Sequence, residues 1–477
     1  MSYIEKPTAV NISELSNHRF SLCPKDYRYF DMPKNNIKPL KQFLVSKEQA
    51  GKEIGSESYI NFSHYRFLRT ANLQGKLTVD YSQVQSCIPF LGKHPINNSL
   101  FIAKDGGGDG LGEVAFYSSD DPSKDYISAG ILNIQIDDEY LYYILGILKS
   151  THFKEFVNLV TPEGSTIRHS KTLSLDYPVP LTQDKDKFNK VGLLVQNILY
   201  KENQVIERHN KIDGLISNEL LNNQESFVKN YKTTISSVLN NATRMDAGMY
   251  AKEYIDLHDL VEHYKNGFYQ IPLEQIKSGS TPKIRVNSKT AKYLWVTPTE
   301  ITDFGYFSSE ERVSMPTSHN LSKDSLLFIN RTSKGGKGEY VGISLFYDHS
   351  FYGDGQHNQG IYRVDCFEKN ELLFICAFMN SQIMRKMCGK ISYGTKMKEM
   401  KGIDFAKLFI PKFEDSIKKE IVELYYYTDG VSDSGDSFND SIKQHNNSIG
   451  LFQLEQEIDF LRKELDSLVD SIIKESL

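Results

Sequence analysis

One phrase occurs twice in this chain. Gly164-Ser-Thr-Ile-Arg-His-Ser-Lys leads into the proline-bracketed run Tyr177-Pro-Val-Pro180, and Gly394-Thr-Lys-Met-Lys-Glu-Met-Lys leads into Phe409-Ile-Pro411. Gly164 and Gly394 are 230 positions apart and Pro180 and Pro411 are 231 apart, close to half of the 477 residues. Self-similarity at a fixed spacing restricts the chain to two copies of one unit. Two further pairs keep the same order. Gly112-Glu-Val-Ala-Phe-Tyr117 parallels Gly338-Glu-Tyr-Val-Gly342 at a spacing of 226, and Arg19, before Tyr27, parallels Arg244, before Tyr250, at a spacing of 225.

Within each copy, β-like runs at 129–136 and 360–364 precede apolar runs at 141–149 and 372–380 that read as buried helices, so each copy is mixed α and β. After each proline-containing strand, helical spacing takes over. Val191, Ile198, Val205 and Ile212 recur every seven residues, with Val195 and Ile216 on the alternate seam. At the C-terminus Leu451, Leu454, Ile458, Leu461, Leu465, Leu468 and Ile472 advance in steps of three and four. A stripe of that kind must be buried against another helix, and the two stripes are natural partners. Glu202 and His209 fall on the first seam and read as tolerated or register-setting residues and not as a metal or catalytic pair. The polar stretch between Asp429 and Asn447 cannot bury a face, and a mobile loop is expected there.

Composition mainly excludes. The five cysteines form no CxxC pair, which argues against a zinc or disulfide framework and fits a reducing, cytoplasmic setting. No stretch approaches the ~18 unbroken apolar residues of a membrane span, and the first residues lack a signal peptide's apolar core. With 56 Lys plus Arg against 61 Asp plus Glu, any surface for nucleic acid must be locally basic. The Gly-rich loops at 105–112 and 335–338 match neither a phosphate loop nor a dinucleotide fingerprint, and read as tight turns. No Asn-Pro-Pro-aromatic segment, zinc signature or Ser/His/Asp signature is present, so no catalytic residue, metal ligand or cofactor is assigned.

The order of elements, together with Arg244-Met-Asp before Tyr250, Ile276-Lys-Ser-Gly-Ser-Thr-Pro-Lys283, Tyr293-Leu-Trp-Val-Thr-Pro-Thr-Glu-Ile301 and the closing Phe409-Ile-Pro411, resembles the specificity subunits of type I restriction-modification systems. Phe67-Leu-Arg-Thr-Ala-Asn-Leu-Gln-Gly75 and Leu175-Asp-Tyr-Pro-Val-Pro180 carry the likeness in the first copy. Two departures stand out: the first copy has no Ser-Gly-Ser-Thr-Pro phrase, and the polar stretch after Tyr427 interrupts the second helix.

The resemblance implies an α+β protein with two α/β target-recognition domains in tandem, each followed by a long helix, the helices pairing as a coiled coil. Its domains would be 1–182 and 226–413, with helices at 183–225 and 414–477 and a polar insertion at 428–449. It further implies a non-catalytic subunit that binds a bipartite site in double-stranded DNA and docks methyltransferase subunits, with a translocase or nuclease subunit as a further partner, in phage defence. A helix over 184–222 would reach about 58 Å, enough to hold two reading heads on separate groove segments. A specificity subunit of another restriction class such as type IIB, or a protein-binding scaffold without DNA readout, are the alternatives.

Base edges and phosphates call for basic and amide side chains on loops. In the first copy the candidates are Arg66, Arg69, Asn72, Lys104, Arg168, His169 and Lys171. In the second they are Lys283, Arg285, Arg331, Ser333, Lys334, Lys337, Gln356, Lys396 and Lys398. Arg168 and Lys396 rank first because each follows the repeated Gly-Ser/Thr turn.

Overall fold

The computed structural model of the chain describes residues 3–5, 7, 9–13, 27–60, 63–81, 84–107, 110–162, 167–227, 247–281, 291–314, 320–332, 340–394, 397–427 and 440–477. They form two compact units, Met1–Asn203 with Ser434–Lys443 and Ile458–Leu477, and Gln204–Asp433 with Gln444–Glu457. Among the described residues no helix is long and apolar enough to cross a membrane.

The first unit is built on a four-stranded antiparallel sheet in the order Gln49–Ala50, Ile131–Ile134, Ser99–Ala103, Val114–Tyr117. Every residue of Ser99–Ala103 is buried, which is why this strand reads as an unbroken apolar run and not as an alternation. A second sheet pairs Arg66–Leu68 in parallel with Asp125–Ile127. Helices Leu141–Leu148 and Thr151–Val160 follow; Ser150 separates them by accepting a hydrogen bond from the Phe153 N–H at 3.3 Å, an N-cap that a serine favours. Pro178–Pro180 then pairs with Ile37–Pro39 in an isolated two-stranded ladder, where missing N–H donors cost little.

The helix Lys185–Asn222 contributes its first half to this unit. Here it runs antiparallel to the end of the terminal helix Leu451–Ser476, tied by Lys187–Glu475, Lys190–Glu464 at 2.6 Å and Glu202–Arg462 at 2.5 Å. Leu141–Leu148 packs on both: a Cβ at Gly146 would lie 2.8 Å from Val191 and 3.4 Å from Leu465. Glu202 is buried and also accepts from the N–H groups of Leu77 and Thr78 at 3.0 and 2.8 Å. Burial alone would raise its pKa, but Arg462 and these donors hold the carboxyl below its ordinary value.

The second unit repeats the plan. Its antiparallel sheet has the order Lys277–Ser278, Ile361–Val364, Ser325–Ile329, Ser344–Tyr347, and its parallel pair is Tyr293–Val296 with Gly355–His357. Arg312–Val313 flanks that pair as Gln85–Ser86 flanks Arg66–Leu68 in the first unit, and one additional short strand, Asn320–Leu321, lies on the other side. Ser381 caps the helix Gln382–Ile391 after Lys369–Met379, and Ile410–Pro411 pairs with Phe268–Tyr269.

Glycine marks the points where backbones approach closest. A Cβ at Gly51 would lie 2.1 Å from the Ile127 carbonyl oxygen, and one at Gly279 2.3 Å from that of His357. Thus Gln49-Ala50-Gly51 occupies, in the first unit, the place of Lys277-Ser278-Gly279 in the second. At the start of the missing Ser-Gly-Ser-Thr-Pro phrase the two copies differ in wording, while Gly51 keeps the place of Gly279.

Three sequence expectations need correction. The strand registers place Gly112, φ 78°, opposite the position of Gly342, φ 89°, and not of Gly338, because Gly112 N–H bonds to Ala103 and Gly342 N–H to Ile329 at the ends of equivalent strands. On the terminal helix Leu461 and Leu468 are only half-buried, while Val469 and Ile473 are fully buried. A stripe of period 3.5 drifts around a straight helix of 3.6 residues per turn, so the covered face moves to the 465, 469, 473 row. Finally, a helix, Asp440–Ser448, stands where a loop was expected; residues 428–439 lie outside the described residues.

The helix of the second unit stops at Tyr425 and resumes at Leu451, where Gly450 N–H returns to the Tyr427 carbonyl at 3.2 Å and Tyr427 N–H bonds Gln453 Oε1 at 3.0 Å. A Cβ at Gly450 would sit 2.5 Å from the Tyr427 nitrogen, so only glycine closes this return. The chain at Gly450 therefore stands beside Tyr427, where the terminal helix begins.

Candidate nucleic-acid interface

The repeated phrase becomes the second strand of a two-stranded ribbon in each unit. In the first, Asp105–Gly106, directly after the central strand, pairs antiparallel with Arg168–His169. The Ser170 N–H closes the ribbon on the Lys104 carbonyl at 2.7 Å. In the second, Arg331–Thr332 pairs with Lys398–Glu399, and the Met400 N–H closes on the Asn330 carbonyl at 2.8 Å. The ribbons share their register and their closing bond.

Their side chains differ. His169 faces Asp105 with Nδ1 3.0 Å from a carboxylate oxygen, and Lys104 is 3.7 Å from the same residue. Arg168 is pinned from behind: it donates to the Asn158 carbonyl at 3.2 Å and to the Asn158 side-chain oxygen. Lys171 is exposed in a left-handed turn, φ 50°. In the second ribbon Arg331 is the cross-strand partner of Glu399, the reverse polarity, and Lys401 lies 5.5 Å from the Tyr393 ring centre. A short helical turn flanks each ribbon, Thr70–Leu73 in one and Pro298–Glu300 in the other. A Cβ at Gly130 would touch both Thr70 at 3.0 Å and Asp105 at 3.4 Å, and one at Gly360 both Pro298 at 3.0 Å and the Arg331 carbonyl at 3.3 Å.

Of the residues selected from sequence, Lys104, Arg168, His169 and Lys171 gather on the first ribbon, with Arg69 at the start of the adjoining turn. Arg331 and Lys398 gather on the second. Asn72 is buried and spends both ends of its amide on backbone, accepting from Arg69 N–H at 2.8 Å and donating to the Asp80 carbonyl at 3.0 Å. Arg66 grips buried Asp125 through Nε and Nη2 at 2.6 and 2.9 Å, with its guanidinium 4.6 Å from the Tyr81 ring centre. Gln356 is buried in the parallel strand opposite Trp295. Lys283, Arg285, Ser333, Lys334, Lys337 and Lys396 lie outside the described residues.

Sequence reading missed Asp105 and Asn158, the residues that position the basic groups of the first ribbon, and Glu399, the cross-strand partner of Arg331 in the second. No local pattern announces a ladder between strands some 60 residues apart, so their part was not visible. On the helix Lys252–Glu262, His258, Asp259 and Glu262 bring ligand-type atoms within 4.8 Å of one another; the His258–Glu262 pair one turn apart, at 3.3 Å, accounts for the grouping.

No family model matches the chain, and no curated protein matches it. Similar solved structures exist. The S subunit of a type I restriction-modification system from M. genitalium is 14% identical with a TM-score of 0.40, covering 94% of this chain and 99% of that one. The HsdS subunit from Thermoanaerobacter tengcongensis is 11% identical with a TM-score of 0.28, over 94% and 99%. A chain from a study of assembly and conformational transition of the type I R-M system is 11% identical with a TM-score of 0.28, over 94% and 100%. This mixed α/β chain resembles solved structures of type I restriction-modification specificity subunits.

Proposed function

We propose that the chain is the DNA sequence-recognition subunit of a type I restriction-modification complex, binding a bipartite target and docking the methyltransferase subunits that modify it. The observation that carries this reading is the duplicated ribbon: one backbone construction, made twice, that presents different charged side chains each time. A fixed frame with exchangeable tips is what reading two different half-sites requires, since phosphate contacts position a reader and base-edge contacts specify the sequence. A two-stranded ribbon also fits the width of the major groove. The target-recognition domains are assigned to 1–182 and 226–413. The helices after them are assigned the role of a coiled-coil spacer, supported by the antiparallel ion pairs Lys187–Glu475, Lys190–Glu464 and Glu202–Arg462. In this reading the chain performs no catalysis, and the bases are methylated by the docked subunits.

The test is methylome sequencing of cells that express this chain with its neighbouring methyltransferase subunit. The expected result is a new split motif, with methylation on each half. Unchanged methylation, with the complex assembled, overturns the proposal.

A further inference from the structure

The ribbons carry a second shared feature that neither charge nor packing explains, and its meaning rests on the DNA-reading function proposed above. Ile167 is 56% exposed and Met397 is 50% exposed. They occupy one position of the fold: each directly precedes the basic residue that opens the second ribbon strand, Arg168 opposite Gly106 and Lys398 opposite Thr332. A single large apolar side chain in water is ordinary. The same position left apolar and exposed in two copies is not, when the residues around it differ so freely: His169 against Glu399, Asp105 against Arg331.

We propose that Ile167 and Met397 are wedges that enter the DNA duplex between adjacent base pairs, one in each half of the target, while Arg168 and Lys398 take the flanking phosphates. Aliphatic side chains of this size are the ones that unstack a base step when driven into it, and the cost is recovered from the protein surface that a kinked duplex can reach. The neighbouring cation matters as much. Phosphate neutralisation beside the wedge supplies the attraction that holds it in place, and Asn158 keeps the Arg168 guanidinium fixed before DNA arrives. A loosened step also serves the proposed partner, because an enzyme that modifies a base must first take that base out of the stack.

The experiment uses the full chain assembled with its methyltransferase subunits and a pool of random 40-base-pair duplexes, from which the wild-type complex enriches its target. 2-Aminopurine is then placed at successive positions of the enriched duplex. The expected result is a rise in fluorescence at one step in each half on binding. Ile167→Ser removes the rise in the first half and Met397→Ser in the second, each weakening binding on the order of 10-fold. Ile167→Met and Met397→Leu keep both signals, and Arg168→Ala and Lys398→Ala weaken binding and reduce its salt dependence without abolishing unstacking. Serine variants that bind and unstack as the wild type does overturn the wedges and leave the DNA-reading function standing. A wild-type complex that enriches no duplex overturns both.

Discussion

The two units share a backbone and disagree about charge. Tyr117 and Tyr347 end equivalent strands, paired in the same register with Ser99 and Ser325. Below Tyr117 lies Asp125, which accepts from its hydroxyl at 2.8 Å and anchors Arg66. At the corresponding places of the second unit stand Gly355 and Leu294, and the Tyr347 hydroxyl donates instead to the Gly353 carbonyl at 2.8 Å. One unit fills the gap between its parallel strands with an ion pair, the other with an apolar side chain and a tyrosine hydroxyl lying against a glycine. The strand order survives this exchange, so main-chain pairing and buried volume define the unit, and the polar groups are interchangeable as complete sets.

That view breaks most visibly if single members are exchanged. Asp125→Ala leaves the Arg66 guanidinium and two tyrosine hydroxyls without their buried acceptor, and is expected to destabilise the protein by about 3 kcal/mol in urea unfolding. Gly355→Ala puts a Cβ 2.4 Å from the Tyr347 hydroxyl and is expected to cost about 1–3 kcal/mol. The paired change Arg66→Leu with Asp125→Gly imports the whole second-unit solution and should recover most of the Asp125→Ala loss. A double variant no better than the single one would show that the units are not interchangeable.

A second exchange gives a pH-dependent prediction. Lys149 and Asn380 follow equivalent helices and hold equivalent strands: Lys149 Nζ donates to the Val114 carbonyl at 2.9 Å and the Lys76 carbonyl at 2.6 Å, while Asn380 Nδ2 donates to the Ser344 carbonyl at 2.8 Å. Burial lowers the Lys149 pKa to about 8, with Glu113 opposing the shift. The folded protein therefore releases this proton before the unfolded chain does, and the penalty for holding the charge is present below pH 8 and relieved as pH rises from there towards the ordinary lysine value. Wild type should gain about 1 kcal/mol of stability between pH 7.5 and pH 9 relative to Lys149→Met. Asn380→Leu, which removes a neutral latch, should lose stability equally at both pH values. Parallel pH profiles for wild type and Lys149→Met would place the lysine's charge in water.

Much of this frame was legible in the sequence because it depends on repetition and period. The repeated phrase located both ribbons, and the heptad run located the helix Lys185–Asn222 to within a residue. What could not be read depends on distant pairings. The spacing 112 to 338 looked like a repeat of Gly-Glu, but loop lengths between the strands differ, and only the ladder shows that Gly342 takes the place of Gly112. Residue type alone put Arg66, Asn72 and Gln356 among the candidates for DNA contact; the Arg66 bond to Asp125, and the burial of Asn72 and Gln356, follow from the sheet, which sequence order hides. The interruption after Tyr427 read as a broken helix because nothing local announces that Gly450 returns to Tyr427.

The smallest effect on stability should accompany the sharpest effect on recognition. His169 and Asp105 form a ribbon pair whose reversed counterpart is Glu399 and Arg331, and such partly exposed pairs contribute about 0–1 kcal/mol. Asp105→Arg with His169→Glu, which gives the first ribbon the polarity of the second, should thus leave the unfolding midpoint nearly unchanged. Under the proposed function it should alter the methylated motif in one half only, because each ribbon presents its groups to its own half-site and an arginine offers guanine a bidentate donor that an aspartate cannot. Arg331→Asp with Glu399→His is the reciprocal experiment and should alter the other half. If either exchange shifts both halves, the two units do not read separately. If neither shifts any base while affinity holds, the ribbons contact phosphates alone, and sequence choice resides elsewhere in each unit.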